Sequence, residues 1–359
     1  MIRYAVVGTG WRSEFFLRLA ALMPERFGVT GVVSRSAERG HDVQARFGCP
    51  AFTDLGDLMK SARPDFLVTS IPRDINPGVI EAAVDENLPV LSETPPAADV
   101  DGLRALWARV GDRRLVQVAE QYLLLPDHAA RSAVIAAGTI GRPTSVQVSS
   151  THDYHAVSMI RGFLGVGFEP ATVRATQFTA PLSDPLSPQG WSGDDTPIAR
   201  TTTLATLDFG DRMGLYDFTD NQWWNPLRSR RILIRGERGE IVDDRVVRLI
   251  DPRTPVESSL VRRQTGRDLN LEGLDLDHIT FDGAVVYRNV FNGARLSDED
   301  VAIATLLDRM GQWCRDEGEP PYPLAAACQD HLIALAMAES LASQSPIVTT
   351  GEPWAGARS

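Results

Sequence analysis

The chain has 359 residues, enough for two ordinary cores, and its 43% hydrophobic and 23% charged residues are the balance of a globular protein. A net charge of −11 without a Lys/Arg block excludes a nucleic-acid surface, and no apolar run approaches the roughly 20 residues of a membrane span. Three widely spaced cysteines (Cys49, Cys314, Cys328) form no CxxC pair, which suits a reducing cytoplasm and argues against a cysteine metal site.

The apolar start of the chain is too short for a secretion signal and reads directly as a strand, Tyr4 to Val7. It ends in Gly8-Thr9-Gly10-Trp11-Arg12-Ser13, and a helical pattern follows, with Phe15, Phe16, Leu19, Ala20, Leu22 and Met23 at spacings of three and four. Gly8 permits the turn. Gly10 lets a pyrophosphate approach the backbone at the helix N-terminus, where unpaired N–H groups point outward. Ser13 replaces the third glycine of this dinucleotide fingerprint and is small enough for close helix packing. Further buried strands are expected at 29–33, 64–72, 88–92 and 114–119, separated by helices at 37–47, 76–86 and 99–110. Alternating β and α units over this length predict a doubly wound parallel sheet, a Rossmann domain over residues 1–122.

The end of the second strand selects the cofactor. An acidic residue there would bind the adenosine ribose, but this chain has Ser34-Arg35-Ser36 and then Arg39. Two hydroxyls and a guanidinium suit a 2′-phosphate, so NADP is expected in preference to NAD.

Residues 123–359 are expected to form a second α/β domain. Strand-like alternation runs through 144–150, 172–178, 199–209, 214–219, 231–236 and 240–242, with a hairpin turn at Gly236-Glu237-Arg238-Gly239. Residues 183–197, rich in Pro, Gly, Ser and Asp and containing Trp191, read as a loop or lid. Trp223 and Trp224, beside Asn and Gln, offer a flat apolar face with hydrogen-bond donors, as a carbohydrate site needs; a subunit interface has equal use for them, and core filling is a lesser alternative. The stretch 250–296 reads as charged and irregular. Helices return at 298–317 and 323–343, where they can pack back on the first domain, with His331 on an apolar side as a packed histidine. Residues 351–359 read as a frayed end.

Five stretches together give the chain a likeness to a known family: Val6-Val7-Gly8-Thr9-Gly10, Ser70-Ile71-Pro72, Glu93-Thr94-Pro95, the run from Ala136 to Pro143, and His155 through Gly165. The chain resembles the glucose–fructose oxidoreductase / inositol dehydrogenase (Gfo/Idh/MocA) family over nearly its whole length. The resemblance implies a Rossmann domain followed by an α/β domain with a large, mostly antiparallel sheet. It also implies oxidation or reduction of sugars, cyclitols or related polyols, and a homodimer or homotetramer formed through that sheet. It places Gly8, Thr9, Gly10, Trp11, Arg12, Ser70, Ile71, Pro72, Asn76, Glu93, Thr94 and Glu120 around the cofactor, and Tyr122 against nicotinamide and substrate.

Departures from the family pattern fall on the chemistry. The family's Glu-Lys-Pro is Glu93-Thr94-Pro95 here, and threonine holds no positive charge, although its hydroxyl can still bond a substrate oxygen. The acidic or amide residue usual four positions before the family histidine is Thr151, and a histidine usual after the third-strand proline is Asn76. Oxidising a carbinol needs a base working near pH 7, for which histidine is best suited. His155 is therefore the expected base. Thr94, Asp153 and Tyr154 complete the expected catalytic set, with Asp153 orienting an imidazole and Tyr154 donating to a substrate oxygen. His152, Tyr122, Trp223 and Trp224 are expected substrate contacts. His152 and His155 lack an evident third ligand, so no metal is expected. Two other uses of such a site stay open: elimination or group transfer through transient oxidation by a retained cofactor, and dinucleotide binding by a regulatory protein without catalysis.

Overall fold

The structure is a computed structural model that describes residues 1–267, 269 and 271–356. Its first third is the expected Rossmann sheet. The elements are β1 (Ile2–Val7), α1 (Trp11–Leu22), β2 (Phe27–Val33), α2 (Ala37–Phe47), β3 (Ala51–Phe52), α3 (Leu55–Ser61), β4 (Phe66–Thr69), α4 (Asn76–Asp85), β5 (Val90–Ser92), α5 (Val100–Val110) and β6 (Val116–Val118). All six strands are parallel in the order β3-β2-β1-β4-β5-β6. The order reverses between β1 and β4, which opens a crevice at their carboxyl ends where such sheets bind ligands.

Successive residues of β1 serve opposite faces. Tyr4 and Val6 pack with Phe16 and Phe66, while Ala5 and Val7 pack with Leu67, Ile80 and Leu103. Both faces are completed from the far end of the chain. In α8 (Asp298–Trp313), Ile303 and Leu307 join the first face; in α9 (Leu324–Ser343), Cys328 and Leu332 join the second.

Between them lie α6 (Pro126–Ala136), β7 (Pro143–Ser149), α7 (Asp153–Leu164), β8 (Thr172–Leu182), β9 (Leu186–Ser187), β10 (Gly190–Trp191), β11 (Ile198–Asp208), β12 (Met213–Thr219), β13 (Arg231–Gly236), β14 (Gly239–Val242), β15 (Arg245–Asp251), β16 (Thr254–Ser259), β17 (Val261–Thr265), β18 (Asp275–Phe281) and β19 (Ala284–Arg288). With β20 (Ile347–Val348) they build a nine-stranded sheet in the order β16-β15-β14-β13-β7-β12-β11-β8-β20, mostly antiparallel, in which β7 and β12 run parallel. Helices α7 and α9 cover one face: Ile160 and Phe163 of α7 and Ile333 and Met337 of α9 pack with Val146, Val148, Leu207 and Ile234. Helix α9 thus serves the cores of both domains. No helix among the described residues is long and apolar enough to cross a membrane.

Two expectations need correction. The stretch 250–296 is not irregular: it carries the end of β15, all of β16, and the three-stranded sheet β17-β18-β19. These strands alternate charged exposed residues with few apolar ones, so hydrophobic periodicity was a weak guide there. The end of the chain is not frayed as far as residue 356. Residues 353–356 form a helical turn that buries Trp354 completely, its Nε1–H donating to Gln329 at 3.0 Å, and Glu352 receives both arms of Arg104 at 2.8 and 2.7 Å. Residues 357–359 lie outside the described part of the chain. The loop read at 183–197 holds the small β9–β10 hairpin.

Candidate active site

The glycine turn after β1 has the shape a pyrophosphate needs. Gly8 has φ of +117°, and a Cβ there would lie 2.1 Å from the Ser70 carbonyl oxygen, so no other residue fits. Gly10 borders open space, with nothing within 4 Å of a Cβ, and it begins α1 without a side-chain cap. The first N–H groups of α1 are therefore available to an anion. Thr9 shares this turn, and Ser70, Ile71 and Pro72 continue from β4 beside it; Trp11 is 75% exposed at the helix start.

At the end of β2, Ser34 is buried and its Oγ accepts the Ser36 N–H at 3.3 Å, while Ser36 Oγ caps α2 through the Arg39 N–H. The hydroxyls expected at a 2′-phosphate thus already hold local backbone. Arg35 is exposed.

Where β5 ends, Glu93 accepts from Arg12 Nε at 2.7 Å, and Arg12 Nη1 reaches Glu299 at 3.1 Å. This pairing ties the glycine turn to the Glu-Thr-Pro segment and to α8. Asn76 is 1% exposed and donates to Ser92 Oγ at 2.8 Å; it braces the end of β5 rather than opening to the crevice as expected.

The second domain brings its residues in at the end of β7. Asp153 starts α7 with φ of +41°, and its N–H donates to the Tyr216 hydroxyl. This turn gathers His152, Tyr154 and His155 with Tyr122. The His155 ring lies 4.5 Å from both Tyr122 and Tyr154 and 5.1 Å from His152, and His152 meets Trp223 edge-on at 4.9 Å. Trp223 Nε1–H points to Thr151 Oγ1 at 3.5 Å. Tyr154 directs its hydroxyl to the Thr94 carbonyl at 3.5 Å, so Thr94 borders the same cluster. Burial pushes the Tyr154 and Tyr122 hydroxyls up, and both stay protonated at neutral pH.

Asp153 meets a neighbouring imidazole as expected, that of His152: its carboxylate lies 3.3 Å from Nδ1, which holds it below the usual carboxylate range, and it is mostly exposed. The carboxylate that orients His155 is Glu120, at 2.6 Å from Nδ1, with both side chains buried. Glu120 was expected at the cofactor; its second oxygen accepts the Tyr122 N–H at 3.0 Å. Trp224 is 44% exposed and contributes no ring contact to the cluster.

Sequence reasoning missed Asp330. It lies with His331, Thr94, Glu120 and Tyr154 around a narrow crevice, and it accepts from Arg161 and from the Tyr322 hydroxyl. The signal was an Asp-His pair inside an otherwise apolar helix. His331 is buried as expected, yet it borders the site, its ring edge-on to Tyr154 at 5.6 Å.

A two-domain protein with this crevice is a dinucleotide-binding protein in fold. Residues 2–120 match the model of the GFO_IDH_MocA oxidoreductase family, described as an NAD-binding Rossmann fold. The chain is similar to the NADP-dependent scyllo-inositol 2-dehydrogenase IolU of Bacillus subtilis, 34% identical over 100 residues, which are 28% of this chain and 30% of that protein. It is 27% identical to the inositol 2-dehydrogenase of Rubrobacter xylanophilus over 144 residues, 40% of this chain and 42% of that one. The chain thus spans less than half the length of these curated relatives. Whole-chain likeness appears among solved structures. A levoglucosan dehydrogenase in complex with NADH and levoglucosan has a TM-score of 0.69 at 19% identity, covering 98% of this chain and 99% of its own. A myo-inositol dehydrogenase from Corynebacterium glutamicum has a TM-score of 0.67 at 17% identity, covering 98% and 99%. At these identities the likeness is one of fold.

Proposed function

We propose that this protein is an NAD(P)-dependent oxidoreductase that interconverts an alcohol and a carbonyl on an uncharged sugar, cyclitol or related polyol. The observation that carries the reading is the buried Glu120–His155 pair beside Thr94, at the crevice of a dinucleotide fold. The curated relatives, which include inositol dehydrogenases, favour the same substrate class.

The residues present fit a dinucleotide. Gly8, Gly10 and the start of α1 suit its pyrophosphate, and Ser34, Arg35 and Ser36 lie where the adenosine ribose of such folds ends. Arg35, exposed and able to fork onto a phosphate, favours NADP. When bound, the nicotinamide supplies hydride exchange with the substrate carbon.

His155 Nδ1–H donates to Glu120, which fixes the tautomer and leaves Nε2 as the acceptor. Nε2 takes the proton of the reacting hydroxyl during oxidation and returns it during reduction. Glu120 stabilises the imidazolium that forms. This pair does the work that the family assigns to a lysine, so no cation is needed at residue 94. Tyr154 and Tyr122 donate neutral hydrogen bonds to substrate oxygens. Trp223 and His152 offer apolar ring surface to the carbon face of a sugar. Arg12 is already held by Glu93 and Glu299, and Arg161 by Asp330, so neither guanidinium is left over for an anionic substrate.

The test is a panel of neutral polyols and their acids with NADP and NAD, followed by absorbance of the reduced nicotinamide. Turnover of a neutral polyol that His155→Ala lowers by about 10²–10⁴-fold supports the reading. Turnover without net reduction would assign a retained-cofactor elimination or transfer. Cofactor binding with no turnover of any kind would assign a regulatory role.

A further inference from the structure

The Glu120–His155 pair joins two elements that reach the site separately, the end of β6 and the start of α7. A second connection between the same two elements runs through α9. Just before that helix, the Tyr322 carbonyl accepts the Val118 N–H at 2.8 Å, and Pro323 pairs with Gln117 as an isolated bridge. The end of β6 is thereby tied to the residues that lead into α9. The Tyr322 hydroxyl donates to Asp330 Oδ2, and Asp330 Oδ1 accepts from Arg161 Nη1 on α7. Val118, Tyr322, Asp330, Arg161, His155 and Glu120 thus close a ring, completed by the helix between Arg161 and His155 and the short strand end between Val118 and Glu120.

Asp330 is the keystone of this ring. It and Arg161 are both buried, and burial pushes the carboxyl up to about 6 while Arg161 and Tyr322 oppose the shift, so it is ionised at neutral pH. Arg161 directs its other donors to main chain: Nε and Nη2 to the Gly167 carbonyl at 3.2 and 2.6 Å, and Nη1 also to the Ala326 carbonyl at 3.1 Å. Among the described residues, Asp330 is the one carboxylate paired with it. Apolar contacts of Ile160 and Phe163 hold α7 on the large sheet, but such contacts are non-directional. The charged hydrogen bonds to Asp330 fix where α7 sits against α9 and β6.

We propose that Asp330 is a positioning residue for the Glu120–His155 pair, closing the ring that keeps His155 Nδ1 within hydrogen-bond reach of Glu120. This rests on the reading of that pair as the proton carrier. Asp330 borders the crevice, yet one of its oxygens is taken by Arg161 and the other by Tyr322, so it acts through them and not on the substrate. Without it, β6 and α7 would meet at the site through the Glu120–His155 bond alone.

Two variants of the full chain test this. Asp330→Asn removes the charge that holds Arg161, and should lower kcat about tenfold or more while KM and NADP affinity stay within about twofold. Nitrogen NMR of the His155 ring should change from one tautomer to a mixture. Breaking a buried ion pair can also unfold a protein, which circular dichroism checks. Tyr322→Phe is the milder variant: it keeps the ion pair, loses one hydrogen bond of the ring, and should lower kcat about threefold or more, with the same change in the His155 signal. The proposal is overturned if His155 keeps a single tautomer in every variant that folds, if kcat is unchanged in them, or if KM rises with kcat kept. Should the wild type turn over no polyol, the reading of the pair fails, and the His155 signal alone decides whether Asp330 positions it. A wild-type ring that already exchanges tautomers rejects the pair itself, and this role of Asp330 with it.

Discussion

Glu120 and His155 are 35 positions apart in sequence and 2.6 Å apart in space, one at the end of the last Rossmann strand and the other in the first turn of α7. Each domain therefore supplies one half of the pair. Glu120→Gln keeps the shape and removes the charge, so it should lower kcat by about 10- to 100-fold with little change in KM or NADP affinity. Glu120→Asp should recover part of the loss. Nitrogen NMR of the His155 ring offers a second readout: one tautomer in the wild type and a mixture in Glu120→Gln. A glutamine variant with full kcat would remove Glu120 from the proton path.

The proposed preference for NADP rests on Arg35. Arg35→Ala should weaken NADP by about 1–3 kcal/mol and leave NAD nearly unchanged, since only the 2′-phosphate loses a charged hydrogen bond. Fluorescence titration with both dinucleotides measures the difference. Equal weakening would reject the assignment.

Gly8→Ala should damage the turn itself. The added Cβ would meet the Ser70 oxygen at 2.1 Å, and a φ of +117° is strained for any L side chain. A loss of about 2–4 kcal/mol in urea unfolding, with NADP binding abolished, is expected from strain and overpacking together. Gly10→Ala, which points into open space, should fold normally and lose affinity only.

Stability should fall on acidification through His128. Its ring is buried, with Nδ1 at 2.9 Å from an Arg131 nitrogen, and burial followed by the Arg131 charge pushes it down to about 3. A histidine held neutral in the fold takes up its proton more readily when unfolded, so the unfolded state gains protons below its ordinary value of 6.5. The stabilisation is present above that value and lost as pH falls toward 3, by an amount on the order of a few kcal/mol. Urea midpoints at pH 7 and pH 4.5 for wild type and His128→Phe check this; the variant should show the smaller drop.

The outer face of the large sheet leaves Leu204 and Phe178 38% and 53% exposed on neighbouring strands. A face of this kind suits burial by a second copy. Light scattering should find a dimer or tetramer at micromolar concentration, and Leu204→Glu should shift it toward monomer. A wild-type monomer would refute this expectation.

Much of the fold was legible because its strands are short apolar runs bounded by glycine and proline. Tyr4–Val7 and the Gly8–Gly10 turn announce themselves locally, as do the amphipathic helices α2 and α5. The strands β16 and β17 were hidden because they carry charge on exposed faces and bury little, whereas β18 buries Leu276, Ile279 and Phe281 within a stretch that is otherwise mostly charged. Of the site, His155 was legible through its family stretch. Its partner was not, because Asp153 is the nearer carboxylate in sequence and only the three-dimensional course of β6 brings Glu120 to the ring. The buried role of Trp354 was hidden for a similar reason: its cavity is made by residues far away in the chain.

Helix α9 has Leu332 in one core and Ile333 in the other, and α8 closes the remaining face of the Rossmann sheet. The nucleotide-binding half is therefore not a portable module. A fragment ending at residue 122 would expose to water the apolar surface that α8 and α9 cover on both faces and should aggregate, whereas the whole chain should melt as one cooperative unit, with a single heat-absorption peak. Loosening at either domain would be felt at the other, because one rod of side chains is part of both.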